Sequence, residues 1–257
     1  MYALRNYLDK KHLNQTDTTN KANKALAQSF ARRFVMLHAS TPELIAKVQR
    51  LRYQVYCIEN SFEDPARFPD GREHDEFDNH ALQGLLYDNT SKAIAGAVRL
   101  ILPHPGKPGN RLPIQGLCRH PRVHDHRLLV GGAVEISRFA ISKEYRRHAR
   151  YHLGTGEAGL SVRSAVAEEM FLSNMALGLV KGLVQMSIEH GITDWFAVME
   201  PALLRLLGRS AIYFAPLGPL VEYHRKRQPC YVNLNAMLRQ VRQERPDVWD
   251  VITDAGR

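Results

Sequence analysis

Apolar and polar residues alternate with two distinct periods along the chain after about residue 30. Residues 33–39 (RFVMLHA) are mostly apolar and predict a first strand. The hydroxyl groups, proline and acid of Ser40-Thr41-Pro42-Glu43 are typical of a helix start, and apolar residues three and four apart extend this helix to about Ile58. Period-two patterns then predict strands at Ala81–Tyr87 and Ile94–Leu102, joined by a short polar turn.

The second half of the chain continues this succession of strands and helices. A strand predicted at Val134–Ile141 precedes the most apolar segment, Met170–Ile188, which is about long enough to span a bilayer. Asn174, Lys181 and Gln185 interrupt that segment, so we expect a helix packed on a sheet. The remaining predicted elements are a strand at Thr193–Met199, a helix at Pro201–Gly208, strands at Ala211–Ala215 and Gln228–Leu234, and a terminal helix from Asn235 that breaks near Pro246.

The order of these elements predicts one α+β domain with a mixed central sheet and helices on both faces. The domain spans residues 31–257, and residues 1–30 predict an N-terminal helical extension. Residues 103–132 are rich in proline and glycine and predict a long surface loop inserted between two strands. His120, His124 and His126 lie in this insert, but no Cys or Glu stands at ligand spacing, so no metal site is expected.

The predicted strand Val134–Ile141 carries a carboxylate, a hydroxyl and a guanidinium within four residues. Alternation places Glu135 and Ser137 on one face and Arg138 on the opposite face. Because an unpaired buried charge is costly, Glu135 and Arg138 must be paired, lie at a cleft, or both. A structural ion pair and a catalytic site are both consistent with this strand taken alone.

Composition and charge restrict the class of protein and of partner. The 257 residues are 44% hydrophobic, an ordinary globular composition, and the net charge of +9 indicates an acidic partner. Nucleic acid, an anionic membrane contacted peripherally and an acidic carrier protein all qualify, although no nucleic-acid-binding motif supports a non-catalytic basic module. Three scattered cysteines and a polar N-terminus without an apolar signal core predict a cytoplasmic protein with reduced thiols.

Four groups of spaced residues, taken in order, resemble the acyl-homoserine-lactone autoinducer synthases over roughly residues 33–200. They are Arg52-x-x-Val55-Tyr56, Asp75-x-x-Asp78, Gly96-x-x-Arg99 and Glu135-x-Ser137-Arg138-Phe139. A sister group of these synthases resembles this chain over nearly its whole length. The resemblance lies in the segment RYQVYCIENSFEDP, the insert and the extended C-terminus. That group comprises the bacterial acyltransferases associated with PEP-CTERM/exosortase systems, which are also similar to N-acyl amino acid synthases.

The resemblance implies a GNAT-like acyltransferase fold in which strands 4 and 5 splay and hold an acyl-phosphopantetheine arm. It implies an enzyme that moves a fatty acyl group from acyl carrier protein to the amine of an amino acid or related small molecule. The arm is then a co-substrate and no cofactor is bound. Glu135 is the expected general base and Ser137 the expected hydrogen-bonding partner of the amine or pantetheine. Residues expected to bind substrate or structure the site are Arg52, Tyr56, Phe62, Asp75, Asp78, Arg99 and Arg138.

Two alternatives remain open for the charged residues. Arg99 and Arg138 either bind the carboxylate of the acceptor or tie Asp75 and Asp78 into a cluster that fixes the acidic loop at residues 59–79, and Arg52 has the same ambiguity. The loop itself is either solvated or folded over a site as a lid.

Two departures from the family patterns bear on the substrates. Many GNAT enzymes hold the CoA pyrophosphate on a glycine-containing loop after strand 4, where this chain has a glycine-free basic stretch. Its residues Arg146, Arg147 and Arg150 favour docking of an acidic carrier protein, with acyl-CoA as the alternative donor. Phe62 stands where the autoinducer synthases have a tryptophan, so the loop that shapes the amine pocket differs. The resemblance therefore does not identify S-adenosylmethionine as the acceptor.

Overall fold

The computed structural model describes residues 27–103, 112–152 and 162–256. One mixed sheet forms its centre, preceded by helical residues 27–33. The strands are β1 (Phe34–His38), β2 (Ala81–Asp88), β3 (Ala93–Ile101), β4 (Ala133–Ile141), β5 (Asp194–Met199), β6 (Ala215–Pro216), β7 (Val221–Glu222) and β8 (Lys226–Asn233). The helices are α1 (Pro42–Tyr53), α2 (Ile114–Leu117), α3 (His126–Val130), α4 (Lys143–His152), α5 (Val162–Glu189), α6 (Pro201–Gly208), α7 (Leu234–Glu244) and α8 (Pro246–Thr253).

The strand order is β1-β2-β3-β4-β5-β8-β6, with β7 paired to β8. All the pairs in this sheet are antiparallel except β4 with β5, which run parallel. The parallel pairing covers only Ala133 to Ile136 on β4 and Asp194 to Ala197 on β5. Both strands continue beyond their last pair, so they separate towards their C-terminal ends.

Helices cover both faces of the sheet. On one face, α5 packs on β1, β2 and β3 and contributes Met175, Leu179 and Val184 to the main core, which α7 and α8 complete. On the other face, α1 packs over β2 and β3 through Val48. The predicted α+β class, with a mixed central sheet and helices on both faces, is confirmed.

The apolar part of α5 is a core helix. Residues Met170–Glu189 are long and apolar enough to cross a membrane, but most of this segment is buried inside the protein. Its close fit depends on small residues, because a side chain at Gly178 would approach Leu86 on β2 and one at Gly182 would overlap Met36 on β1. The helix predicted here is thus packed on the sheet, as expected.

Two predicted elements differ from the structure. The helix from Pro42 ends at Tyr53 and continues as a π-helical turn, Gln54–Glu59, rather than as α-helix to Ile58. The strand predicted at Ala211–Ala215 is wrong, because strand structure begins only at Ala215 and lasts two residues. Residues 104–111 of the insert lie outside the described residues.

The rest of the insert is not the surface loop that was predicted. Leu112, Ile114 and Val123 are almost fully buried, and they pack on Phe196 of β5. This folded segment carries α2 and α3. It covers the α1 face of the sheet over β5 and the start of β4.

Candidate active site

A cavity of about 250 Å³ opens where β4 and β5 separate. The splayed strands predicted from the resemblance are therefore present. The cavity is lined by Ile136, Ser137, Arg138, Phe139, Ala140 and Ile141 of β4, by Val198, Met199, Glu200 and Leu203 at and beyond the end of β5, by Val55, Tyr56, Asn60 and Phe62 after α1, and by Arg227 of β8.

A β-bulge in β4 changes which side chains face this cavity. Val98 on β3 lies opposite both Arg138 and Phe139, because the register shifts between Ala97 and Arg99. Arg138 adopts φ +50°, a left-handed conformation that arginine rarely takes. The bulge brings Arg138 to the same face as Ser137, so the prediction that alternation places it on the opposite face is wrong.

Arg138 joins the acidic loop in an ion-pair cluster. Its Nη2 lies 2.8 Å from Glu73 Oε1 and 3.1 Å from Asp75 Oδ2, and its guanidinium stands over the Tyr56 ring. Arg52, which is fully buried, donates to the same Glu73 at 2.5 Å and to Asp78 at 2.7 Å. The loop is therefore folded into the protein at this point and not solvated.

Asp75 and Asp78 form a capping box that begins the 3₁₀ helix Glu76–His80. Both carboxylates also bind Arg99 of β3, with Nη1 2.5 Å from Asp75 Oδ1 and 2.6 Å from Asp78 Oδ1. Of the two alternatives for Arg52, Arg99 and Arg138, the structure favours fixing the loop over binding the carboxylate of an acceptor.

The cluster keeps its carboxylates ionised despite their burial. Desolvation opposes ionisation of Glu73, but the guanidinium groups of Arg138 and Arg52 outweigh it and lower the pKa to about 2. Desolvation of Asp75 is likewise outweighed, chiefly by Arg99, and its pKa is also about 2. Sequence analysis missed Glu73, and its position two residues before Asp75 gave no signal because loop acids are usually solvated.

Ser137 connects this cluster to the cavity. Arg99 donates from Nε to Ser137 Oγ at 2.9 Å, and Ser137 lines the cavity. Since Oγ accepts this hydrogen bond, the hydroxyl proton remains available for a group in the cavity. The ion-paired Arg99 thus orients a donor at the point where the strands separate.

Glu135 lies outside the cavity lining, contrary to the expectation that it faces a cleft. Its side chain is buried with the residue 4% exposed, and Oε2 accepts a hydrogen bond from the Ile114 N–H at 2.7 Å. Desolvation raises the pKa of the carboxyl to about 8, against the opposing effects of this hydrogen bond and of Arg99. At neutral pH the carboxyl is mainly protonated beneath the folded insert.

The aromatic pair Tyr56 and Phe62 forms another wall of the cavity. The two rings lie 6.2 Å apart, and Phe62 also contacts Arg225 and Arg227 at 5.2 and 5.5 Å from its centroid. His224 approaches the same ring and lies 3.6 Å from Glu63. His224, Arg225 and Arg227 belong to the hairpin formed by β7 and β8. Sequence analysis did not identify these residues, because their position over Phe62 depends on the pairing of the two strands.

A second ion pair borders the cavity at the end of β5. Arg227 Nη2 lies 3.2 Å from Glu200 Oε1, and the Glu200 side chain is 41% exposed. Both residues line the cavity. The site therefore presents a cation and an accessible carboxylate together, and sequence analysis identified neither because Glu200 and Arg227 belong to no predicted motif.

The predicted carrier-docking residues lie on α4, not on a loop. Arg147 is exposed and Arg146 half-buried, whereas the side chain of Arg150 lies outside the described residues. The start of this helix is already occupied by Glu59, whose carboxylate accepts from the backbone N–H groups of Lys143 and Glu144. Across the described ranges, no three His, Cys, Asp or Glu side chains come together as a metal-ligand set.

Comparisons with known proteins agree with this architecture. Residues 51–153, less than half of the chain, match the acetyltransferase (GNAT) domain family. No curated protein matches the chain.

Three of the solved structures that match this chain have identities that establish the fold alone. TofI, in a ternary complex with an inhibitor and MTA, is 17% identical, covers 85% of this chain and 97% of its own, and has a TM-score of 0.57. The CoA-dependent acyl-homoserine lactone synthase MesI is 20% identical, covers 88% and 96%, and has a TM-score of 0.51. The AHL synthase LasI is 15% identical, covers 77% and 88%, and has a TM-score of 0.50. This chain therefore has a GNAT-like α+β fold, with a GNAT acetyltransferase domain match at residues 51–153.

Proposed function

We propose that this protein is an N-acyltransferase that moves a fatty acyl group from acyl carrier protein to the amine of an amino acid or related small molecule. The observation that carries the proposal is the cavity between β4 and β5, with Ser137, Glu200 and Arg227 on its walls. The similarity to acyl-homoserine-lactone synthases in fold supports the same reaction class.

The separated strands suit an acyl-phosphopantetheine arm. Beyond Ile136, no strand of the described residues pairs with the edge of β4 that faces β5, so backbone N–H groups on that edge would bind the arm and the thioester oxygen. Ser137 would donate a hydrogen bond from its hydroxyl group to the thioester carbonyl oxygen or to the departing thiolate. Arg99 acts through Ser137 and is a positioning residue.

The acceptor amine would enter beside Glu200 and Arg227. An α-amine has a pKa near 8, so a carboxylate is a sufficient base near neutral pH. The amine nitrogen attacks the thioester carbonyl, the C–S bond breaks, Glu200 accepts the amine proton and the thiolate is protonated from solvent. A carboxylate on the acceptor would pair with Arg227, which favours an amino acid.

These assignments change the role expected for Glu135. Its carboxyl is buried, mainly protonated near pH 7 and outside the cavity lining, so we assign it to holding the insert through the Ile114 N–H. Ser137 retains the role predicted for it. Tyr56 and Phe62 shape the wall that contacts substrate.

Acyl-CoA is the alternative donor, since MesI is a CoA-dependent synthase of the same fold. The basic residues Arg146 and Arg147 favour an acidic carrier protein. The association with PEP-CTERM/exosortase systems and the cytoplasmic location stay predictions.

The test supplies the purified protein with acyl carrier protein and CoA thioesters of one fatty acid, in parallel, with pooled amino acids as acceptors. Mass spectrometry is expected to find N-acyl amino acids, formed faster from the carrier protein. Ser137→Ala should lower kcat/KM at least about tenfold, and Glu200→Gln should lower kcat most at low pH, where the amine is mostly protonated.

The matched control is Glu189→Gln, which removes an exposed carboxylate at the end of α5, before β5 begins. This variant should retain wild-type rates. Absence of N-acyl product from both donors with every amine tested would refute the proposal.

A further inference from the structure

The N-terminus of α4 is filled by a side chain from another part of the protein. Glu59, the last residue of the π-helical turn, accepts hydrogen bonds from Lys143 N at 2.8 Å and from Glu144 N at 3.1 Å. Ser142 Oγ donates to the same carboxylate at 3.1 Å. These three donors at the start of the helix are directed at one carboxylate, and the next N–H group, that of Tyr145, donates to Ser142 Oγ.

The chain around Glu59 is held in place by a second set of contacts. Lys143 Nζ donates to the Glu59 carbonyl oxygen at 3.0 Å and to Asn60 Oδ1 at 2.6 Å. Asn60 also donates from Nδ2 to the Val55 carbonyl oxygen, within the π-helical turn. The carboxylate is therefore fixed by its own backbone and by a neighbouring side chain.

This cluster stands at the edge of the cavity. Asn60 and Ile141 line the cavity, and they directly adjoin Glu59 and Ser142 in the chain. An acyl-pantetheine arm that leaves the cavity on this side would bring its phosphate end to the start of α4. Free N–H groups at a helix start would attract that phosphate, but here an anion already occupies them.

We propose that Glu59 is a donor-specificity residue that excludes the pyrophosphate of CoA from the start of α4. This inference rests on the proposed function for the identity of the donor. CoA carries two linked phosphates next to its pantetheine, and their charge would meet the Glu59 carboxylate with no free N–H donor to compensate. The arm of a carrier protein carries one phosphodiester that is bound to the protein, so docking on the protein surface can supply the affinity instead.

The proposal is tested by binding, without any need for acyl transfer. Calorimetry measures the affinity of CoA and of inorganic pyrophosphate for the wild type, Glu59→Gln and Glu59→Ala. We expect both variants to bind both probes at least about tenfold more tightly than the wild type, because each removes one like charge and Glu59→Ala also releases the N–H donors. Glu59→Gln keeps the size of the side chain and guards against loss of folding in Glu59→Ala.

Glu144→Gln is the matched control, since it removes one negative charge from the same helix turn without uncovering the N–H groups. We expect it to change both affinities less than about threefold. Affinities unchanged in both Glu59 variants, or raised equally by Glu144→Gln, would overturn the proposal. Failure of the proposed function appears instead as absence of N-acyl products, which these binding measurements do not involve.

Discussion

Replacement of Glu135 by glutamine separates a structural role for this residue from a catalytic one. The carboxyl is buried beneath the insert and accepts one hydrogen bond, from the Ile114 N–H. Glutamine has nearly the same shape and keeps a carbonyl oxygen for that bond, but it cannot ionise. The substitution therefore removes the free-energy cost of burying a titratable carboxyl group at this position and changes little else.

The size of the effect follows from the pKa of Glu135, which rises from 4.5 to about 8 on folding. Between these values the folded protein holds a proton that the unfolded chain releases, so stability falls as pH rises through this window. At 1.36 kcal/mol per pKa unit, about 2.5 units lie below pH 7, and the wild type loses about 3 kcal/mol there. Glu135→Gln should restore a stability of that order at pH 7 and almost none at pH 4.5.

The assay is urea unfolding of the wild type and Glu135→Gln, at intervals from pH 4.5 to pH 8. The difference in the free energy of unfolding should grow with pH, with little change in the slope against urea. Acyl transfer by the variant is measured on the same preparation and should stay within about tenfold of the wild type.

Two results would refute the reasoning. A constant difference in stability across the pH range would mean that Glu135 does not hold a proton on folding. A loss of transfer greater than about tenfold in a stable variant would mean that Glu135, and not Glu200, takes the proton from the amine, as the sequence resemblance implied.

Two further predictions concern the close approach of β3 to β4 at Gly96 and the ion-pair cluster. Gly96→Ala places a Cβ 2.7 Å from the Ala140 carbonyl oxygen, so chemical denaturation should show a loss of about 1–3 kcal/mol, whereas Gly116→Ala meets no neighbour within 4 Å and should show no such loss. Because the pKa values of Glu73 and Asp75 are about 2, their stabilisation is complete above about pH 4.5 and declines towards pH 2. Acid unfolding monitored by circular dichroism should show this decline, and Glu73→Gln should reduce it; a decline of unchanged size in that variant would count against the assignment.

The sequence was sufficient to predict most of the helices and strands and part of the candidate site. Period-two and helical patterns located β1 to β5 and α5, because apolar residues mark the segments that the fold buries. An ion-pair cluster of Asp75, Asp78 and Arg99 was one of the two alternatives that the sequence left open, and the structure contains it.

The features of the site that the sequence did not predict depend on contacts between segments that are distant in the chain. Alternation cannot show a bulge, so the face of Arg138 was assigned incorrectly from sequence. Glu59 meets α4 across more than eighty residues, and Arg227 meets Glu200 only after β8 pairs with β5. The burial of Glu135 follows from the fold of the insert, whose composition alone favoured a surface loop.

The ion-pair cluster explains how a loop and a strand can hold one hydroxyl in a fixed place. Asp75 and Asp78 cap their own 3₁₀ helix and also accept hydrogen bonds from Arg99, so the position of Arg99 depends on the fold of the acidic loop. Apolar residues could fill the same volume at a similar or lower free energy, since buried ion pairs contribute little net stability. They could not direct an N–H at Ser137 Oγ from one side while leaving its proton free on the other. The value of the buried charges therefore lies in orienting Ser137, and replacing the whole cluster by apolar residues of similar volume should affect kcat more than the free energy of unfolding.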